Sequence, residues 1–223
     1  MLLKQKFKGK FIFASSAAVY GDVSGLKCVD GYAYGAYQPI NPYGHSKAQT
    51  EQQLNDIGIA NEFDFLSMRF FNVVGAYKGL GQQLSYPHIL TSLCRAVYEN
   101  EPFSIYGYNY DTIDGSCVRD YIHVEDVVDA LILAAEHNKA DLWENYFNVC
   151  REIPISNIQL VKEFSKYTGK SVDLHFKERR PGDPGFLVGE KLAMKTQFGF
   201  EAKHDLESII TSAWEYYKKA VNV

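Results

Sequence analysis

Lys10-Phe-Ile-Phe-Ala-Ser-Ser-Ala-Ala-Val-Tyr-Gly21 decides how the chain is read, because an apolar run ends there in paired serines. A continuous apolar stretch such as Lys10 to Ala14 suits a strand buried on both faces of a sheet. Further on, Asn41-Pro-Tyr-Gly-His-Ser-Lys47 opens a segment rich in Ala, Gln, Glu and Lys that predicts a helix from about Tyr43 to Ile57. Proline is tolerated in its first turn, where an N–H would be unpaired anyway. Phe63 to Arg69 is a second apolar strand. Strand, helix, strand is a βαβ unit, so the expected class is α/β, with a parallel sheet and helices on its faces.

Past Gly75 the pattern changes. A Gly- and Gln-rich loop leads to a helix over about Pro87 to Glu99, and Phe103 to Tyr106 reads as a strand. A polar, turn-rich stretch with Asp114-Gly115 follows, and Tyr121-Ile-His123 then enters a helix over about Val124 to His137. Tyr146 to Val149 is a short apolar strand. Ser156 with Gln159 forms a capping-box signature for a helix that Gly169 stops. Leu206 to Lys219 reads as a last amphipathic helix. The boundaries expected are a Rossmann-type lobe from 1–76 and 120–150, and a smaller mixed α/β lobe from 77–119 and 151–223.

Composition narrows the function classes. With 46% hydrophobic and 22% charged residues, the 223-residue chain is that of an ordinary globular protein. A net charge of -4 and a pI near 5.9 argue against a nucleic-acid partner. Cys28, Cys94, Cys117 and Cys150 are too scattered for a zinc site or a disulfide framework, which suits a reducing cytoplasm. Lysines break the apolar start, so no signal peptide is read there, and no apolar run is long enough to span a bilayer.

Two features carry chemistry. Tyr43 and Lys47 are four apart on the first helix and share a face. An ammonium beside a phenol stabilises its phenolate, which lets a tyrosine take a hydroxyl proton near neutral pH. On spacing alone, a surface tyrosine beside a solvated lysine is the better reading of the pair. Ser16 emerges at the carboxyl end of the first strand, where open parallel sheets bind ligands. Taken alone, a serine there is more readily a cap for a turn.

Strand, serine, then Tyr-x-x-x-Lys resembles the catalytic order of the short-chain dehydrogenases/reductases. The motifs Asn41-Pro-Tyr-Gly-His-Ser-Lys47, Arg69-Phe-Phe-Asn-Val-Val-Gly-Ala76 and Arg179-Arg-Pro-Gly-Asp183 are similar to those of the extended members of that family. The stretch Ile105 to His123, with Asp114-Gly115 and Val118-Arg-Asp-Tyr-Ile-His123, resembles the signature of UDP-glucose 4-epimerases. The resemblance implies NAD as cofactor and a UDP-hexose as substrate. It assigns catalysis to Ser16, Tyr43 and Lys47, which would also touch the cofactor together with Phe71. Ser16, Asn72, His88, Ser104, Tyr106, Arg119, Arg180 and Asp183 would hold the UDP-sugar, with Arg119 and Arg180 on the diphosphate. Asp114 and His123 are expected to make structural hydrogen bonds.

Measured against the resemblance, the first βαβ units are missing, and with them the glycine-rich turn that cradles the cofactor's pyrophosphate. The first strand is therefore expected to lack one neighbour. A separate N-terminal fragment is one partner to expect, and a second copy packed along the Tyr43 helix is another. Ala18 stands where a small hydroxyl residue is expected, and Leu187 would limit the sugar site to the plain hexose. Alternatives kept open are a non-catalytic UDP-sugar-binding protein and another nucleotide-sugar enzyme such as a decarboxylase.

Overall fold

The computed structural model describes residues 9–23, 25–29, 38–61, 63–85, 88–138, 142 and 145–222. The lysine-rich start and the predicted helix start at Pro87 lie outside them. In chain order the elements begin with β1 (Phe11–Ser16), a 3-10 turn (Ala17–Tyr20), α1 (Pro42–Asn61), β2 (Phe65–Phe70) and β3 (Asn72–Val74). The hairpin β4 (Ala76–Tyr77) and β5 (Leu80–Gly81), α2 (Ile89–Glu99), β6 (Phe103–Tyr106) and β7 (Val118–His123) come next. Then follow α3 (Val124–Glu136), β8 (Tyr146–Val149), β9 (Pro154–Ser156) and α4 (Asn157–Thr168). The chain closes with β10 (Leu174–Lys177), β11 (Phe186–Leu187), α5 (Leu192–Phe198) and α6 (Leu206–Ala220).

One sheet is parallel throughout, in the order β1-β2-β8, with Ser16 in register with Phe70. Its middle strand is buried from Phe65 to Arg69, which is why its sequence does not alternate. Leu66 and Met68 face α3 and α5, packing on Val127, Ala130 and Met194. Phe65 and Tyr146 turn the other way, onto Leu54 of α1. Helices thus cover both faces, the doubly wound α/β arrangement expected of the sequence. Among the described residues β1 is the margin of this sheet.

A second core gathers α2, α4 and α6 around Leu93, Phe164, Ile209 and Trp214, on top of Phe103, Ile105 and Tyr121. Its strands form a parallel pair β10-β6 and a sheet β11-β7-β3, with β9 antiparallel to β7. Ser156 caps α4 by accepting from Gln159 N at 3.0 Å, and Gly169 ends it at φ 67°. Both were legible in the sequence.

The stretch read as turns and a helix entry is instead strand β7 from Val118 onward. Arg119-Asp120 hides the strand from any hydrophobic pattern. Asp120 is buried all the same, because the N–H groups of Arg151 and Glu152 bond its carboxylate at 2.9 and 2.8 Å. Burial pushes that carboxyl up to about 6.

Candidate active site

Ser16 leaves β1 in an extended conformation and its Oγ accepts from Ala18 N at 3.1 Å, capping the 3-10 turn. The structural reading of this serine is therefore met, while its O–H remains able to donate. Asn41 fixes the start of α1 in two directions. Its Oδ1 accepts from Gly44 N at 2.8 Å, and its Nδ2 donates to Gly182 O at 3.2 Å, tying the helix to the Arg180–Asp183 turn. Gly44 lies so close to the serine turn that a Cβ there would stand 2.4 Å from Ala18 O.

Tyr43 is 56% exposed. Lys47 Nζ lies 5.7 Å from its ring centroid and donates to Ala14 O at 2.8 Å. The expected side-by-side placement of the pair is present, on the outer side of the end of β1.

Beneath them lies a buried polar network that sequence reasoning missed. Glu51, one turn beyond Lys47, takes a paired contact from Arg69 at 3.0 and 2.7 Å and a bond from Ser15 Oγ at 2.6 Å. Arg69 also donates to Tyr20 OH at 3.1 Å, and Tyr20 donates to Asn148 Oδ1 at 2.6 Å. Burial works against the Arg69 charge, but Tyr20 and Glu51 outweigh it and raise the guanidinium above its ordinary pKa. The signal was present: an arginine inside an otherwise apolar strand requires a buried acid.

Two adjoining cavities open beside this scaffold. The larger, about 410 Å³, is lined by Asn72, His88, Ser104, Tyr106, Arg119, Arg180 and Asp183, all of them predicted substrate residues. The smaller, about 170 Å³, is lined by Ser16, Phe71, Leu187 and again Asn72, Arg119 and Asp183. The three shared residues mark where the two meet. Tyr43 and Lys47 line neither cavity. Ala18 lines the smaller cavity, to which the structure adds Phe70, and Ser92, Arg95, Glu101 and Lys177 join the larger.

The larger cavity is electropositive in a chain of net charge -4: Arg95, Arg119, Lys177 and Arg180 face only Glu101 and Asp183. The Arg180 guanidinium lies 3.7 Å over the Tyr106 ring, and bonding to Arg180, then the charge of Lys177, hold the phenol below its usual pKa. Arg179 instead stacks 4.0 Å over Tyr110 and donates to Asn109, a structural role. His88 precedes α2 without capping it, and its Nδ1 is buried with no hydrogen-bond partner. Burial depresses its pKa to about 4.

Asp114 and His123 serve structure. Asp114 accepts from Ser116 N at 3.0 Å and from the Ser156 hydroxyl, while His123 Nδ1 caps α3 by accepting from Glu125 N at 3.2 Å. Among the described residues none of the cysteines forms a disulfide, and no helix is long and apolar enough to cross a membrane.

Residues 1–150 match the family model for the NAD dependent epimerase/dehydratase family. The chain is 37% identical over 213 residues to a UDP-glucose 4-epimerase of Azospirillum brasilense, covering 92% of this chain and 60% of the relative. A UDP-glucose 4-epimerase of Brucella ovis solved with NAD superposes with a TM-score of 0.85 at 32% identity, covering 97% of this chain and 67% of that one. The enzyme of Bifidobacterium longum, solved with NAD+ and UDP, gives 0.84 at 28% identity, covering 99% and 68%. The chain spans 60–64% of the length of the curated relatives it matches.

Proposed function

The chain belongs to the NAD dependent epimerase/dehydratase family, and from that premise we propose that it carries the acid–base and UDP-sugar parts of an enzyme interconverting UDP-galactose and UDP-glucose. The observation that supports this most is the convergence of seven predicted substrate residues on one electropositive cavity adjoining Ser16. Arg119 and Arg180 would hold the diphosphate, and Asp183 the ribose hydroxyls. The β6 strand from Ser104 to Tyr106, with His88, would receive the uracil. Asn72, which lines both cavities, would hold the sugar nucleotide across the junction. Ala17, Ala18, Phe71 and Leu187 give the smaller cavity walls that suit a neutral hexose. In this reading residues 77–119 and 151–223 form the substrate lobe, and 1–76 with 120–150 the cofactor lobe.

For NAD the fit divides. Lys47 donates to Ala14 O of β1 with Tyr43 beside it, while Ser16 and Phe71 line the smaller cavity, and these four would meet a nicotinamide ring and its ribose. The glycine-rich turn for the phosphates is not among these 223 residues, so those contacts would come from a complementing N-terminal piece. Bound there, NAD would take up and return the hydride at sugar carbon 4. Tyr43 would accept the 4-hydroxyl proton and give it back, with Lys47 stabilising the phenolate. Ser16 would donate its hydroxyl to the reacting oxygen while its lone pair stays on Ala18 N. A second copy of the chain is expected to pack along α1, and the cytoplasm is the expected compartment.

A second reading, a UDP-sugar-binding protein without catalysis, is favoured by Tyr43 and Lys47 lying outside both cavities. Both readings require UDP to bind. Calorimetric titration should show it, and Arg180→Ala should weaken it by roughly 1.5–3 kcal/mol, as for a charge-assisted bond. Unchanged affinity in that variant would remove the diphosphate assignment.

A further inference from the structure

We propose that Lys177 is a third cation of the diphosphate site, kept beside Arg180 by Tyr106 until an anionic ligand arrives. The inference rests on reading the larger cavity as a UDP site. Lys177 ends β10 in register with Tyr106 at the end of β6, and Gly107 N locks the two strand ends by donating to Lys177 O at 2.8 Å. Residues paired across a ladder present their side chains on one face. Lys177 Nζ accordingly stands 5.6 Å from the Tyr106 ring centroid, and the Arg180 guanidinium stands 3.7 Å from it.

Two cations on one phenol repel each other, and the ring's quadrupole offsets this only in part. Lys166, Lys195, Lys203 and Lys218 each have a carboxylate partner, whereas Lys177 converges with Arg180 on one ring. Among the described residues no carboxylate lies within ion-pairing distance of Lys177, Arg180 or Arg119, although Glu101 and Asp183 line the same cavity. Converging cations that outnumber the acids around them raise the local concentration of an anion. A diphosphate, with several oxygens and more than one negative charge, is the ligand class that uses all three.

The test is calorimetric titration of the 223-residue chain with UDP, uridine and inorganic pyrophosphate, comparing the parent with Lys177→Met and Lys177→Arg. Loss of one charge-assisted contact should weaken UDP and pyrophosphate on the order of tenfold in Lys177→Met, leave uridine within about twofold, and be largely restored in Lys177→Arg. Equal UDP affinity in parent and Lys177→Met overturns the proposal. So does an equal loss for uridine and UDP, which would make Lys177 a structural residue of the β6–β10 pair. Pyrophosphate binding that depends on Lys177, without UDP binding, would keep the cation site and discard the UDP reading. A parent that binds neither discards both.

Discussion

His88 stands at the mouth of α2 with one ring nitrogen buried and unbonded. In the fold it takes a proton only near pH 4, against 6.5 for an ordinary imidazole. Between those values the unfolded chain holds a proton that the folded chain does not. Stability therefore rises with pH across the window and is lost as pH falls from about 6.5 towards 4. Asp120, pushed up to about 6, acts in the opposite sense over part of the range, so the informative quantity is a difference. Urea unfolding at stepped pH should show a shallower acid loss for His88→Gln than for the parent, by up to about 1.4 kcal/mol per pH unit. Identical slopes would mean that His88 is solvated. At this scale motifs singled out Arg119 and Arg180, and both line the larger cavity. The sequence did not name Arg95 or Lys177, because nothing in sequence spacing brings α2 and β10 to one cavity. Arg69 lay in a quoted motif, yet its role as the centre of a buried network appears only once Glu51 is placed beneath it.

Elements were legible where a period or a cap marked them. The β1–α1–β2 unit, α4 with its Ser156 and Gly169 ends, and α6 follow from the sequence pattern. The strands β3, β4, β5, β9 and β11 are two or three residues long, too short for any alternation to register. Strand β7 carries Arg-Asp in its middle and is held by bonds from distant backbone. The approach of α1 to the serine turn makes an element-scale prediction. On helix propensity alone, Gly44→Ala should stabilise α1 by up to about 1 kcal/mol. Its Cβ would instead meet Ala18 O at 2.4 Å, so the variant should lose roughly 1–3 kcal/mol as α1 is pushed from Ser16. UDP binding should weaken with it, because Asn41 at the start of α1 holds Gly182 of the Arg180–Asp183 turn. A Gly44→Ala protein with a melting temperature above the parent's would show that α1 does not rest on that carbonyl.

On the scale of the whole molecule, two cores divide the labour. One backs the sheet that ends in Ser16, and the other builds the electropositive cavity. Asn72, Arg119 and Asp183 border both cavities, so a ligand spanning them would couple the two halves. Among the described residues β1 is the sheet's margin, and the chain spans 60–64% of the length of the curated relatives it matches. The proposed function requires that Ser16, Tyr43 and Lys47 of this chain supply the acid–base machinery. Its most direct test joins residues 1–223 to the segment of the Brucella ovis enzyme that this chain does not match, and follows UDP-glucose formed from UDP-galactose. The fused protein should convert the sugar, and Tyr43→Phe should lower the rate by about 10²–10⁴-fold, the contribution of a positioned acid–base group. A folded, NAD-loaded fusion without conversion, or a Tyr43→Phe variant running at the parent's rate, would contradict it.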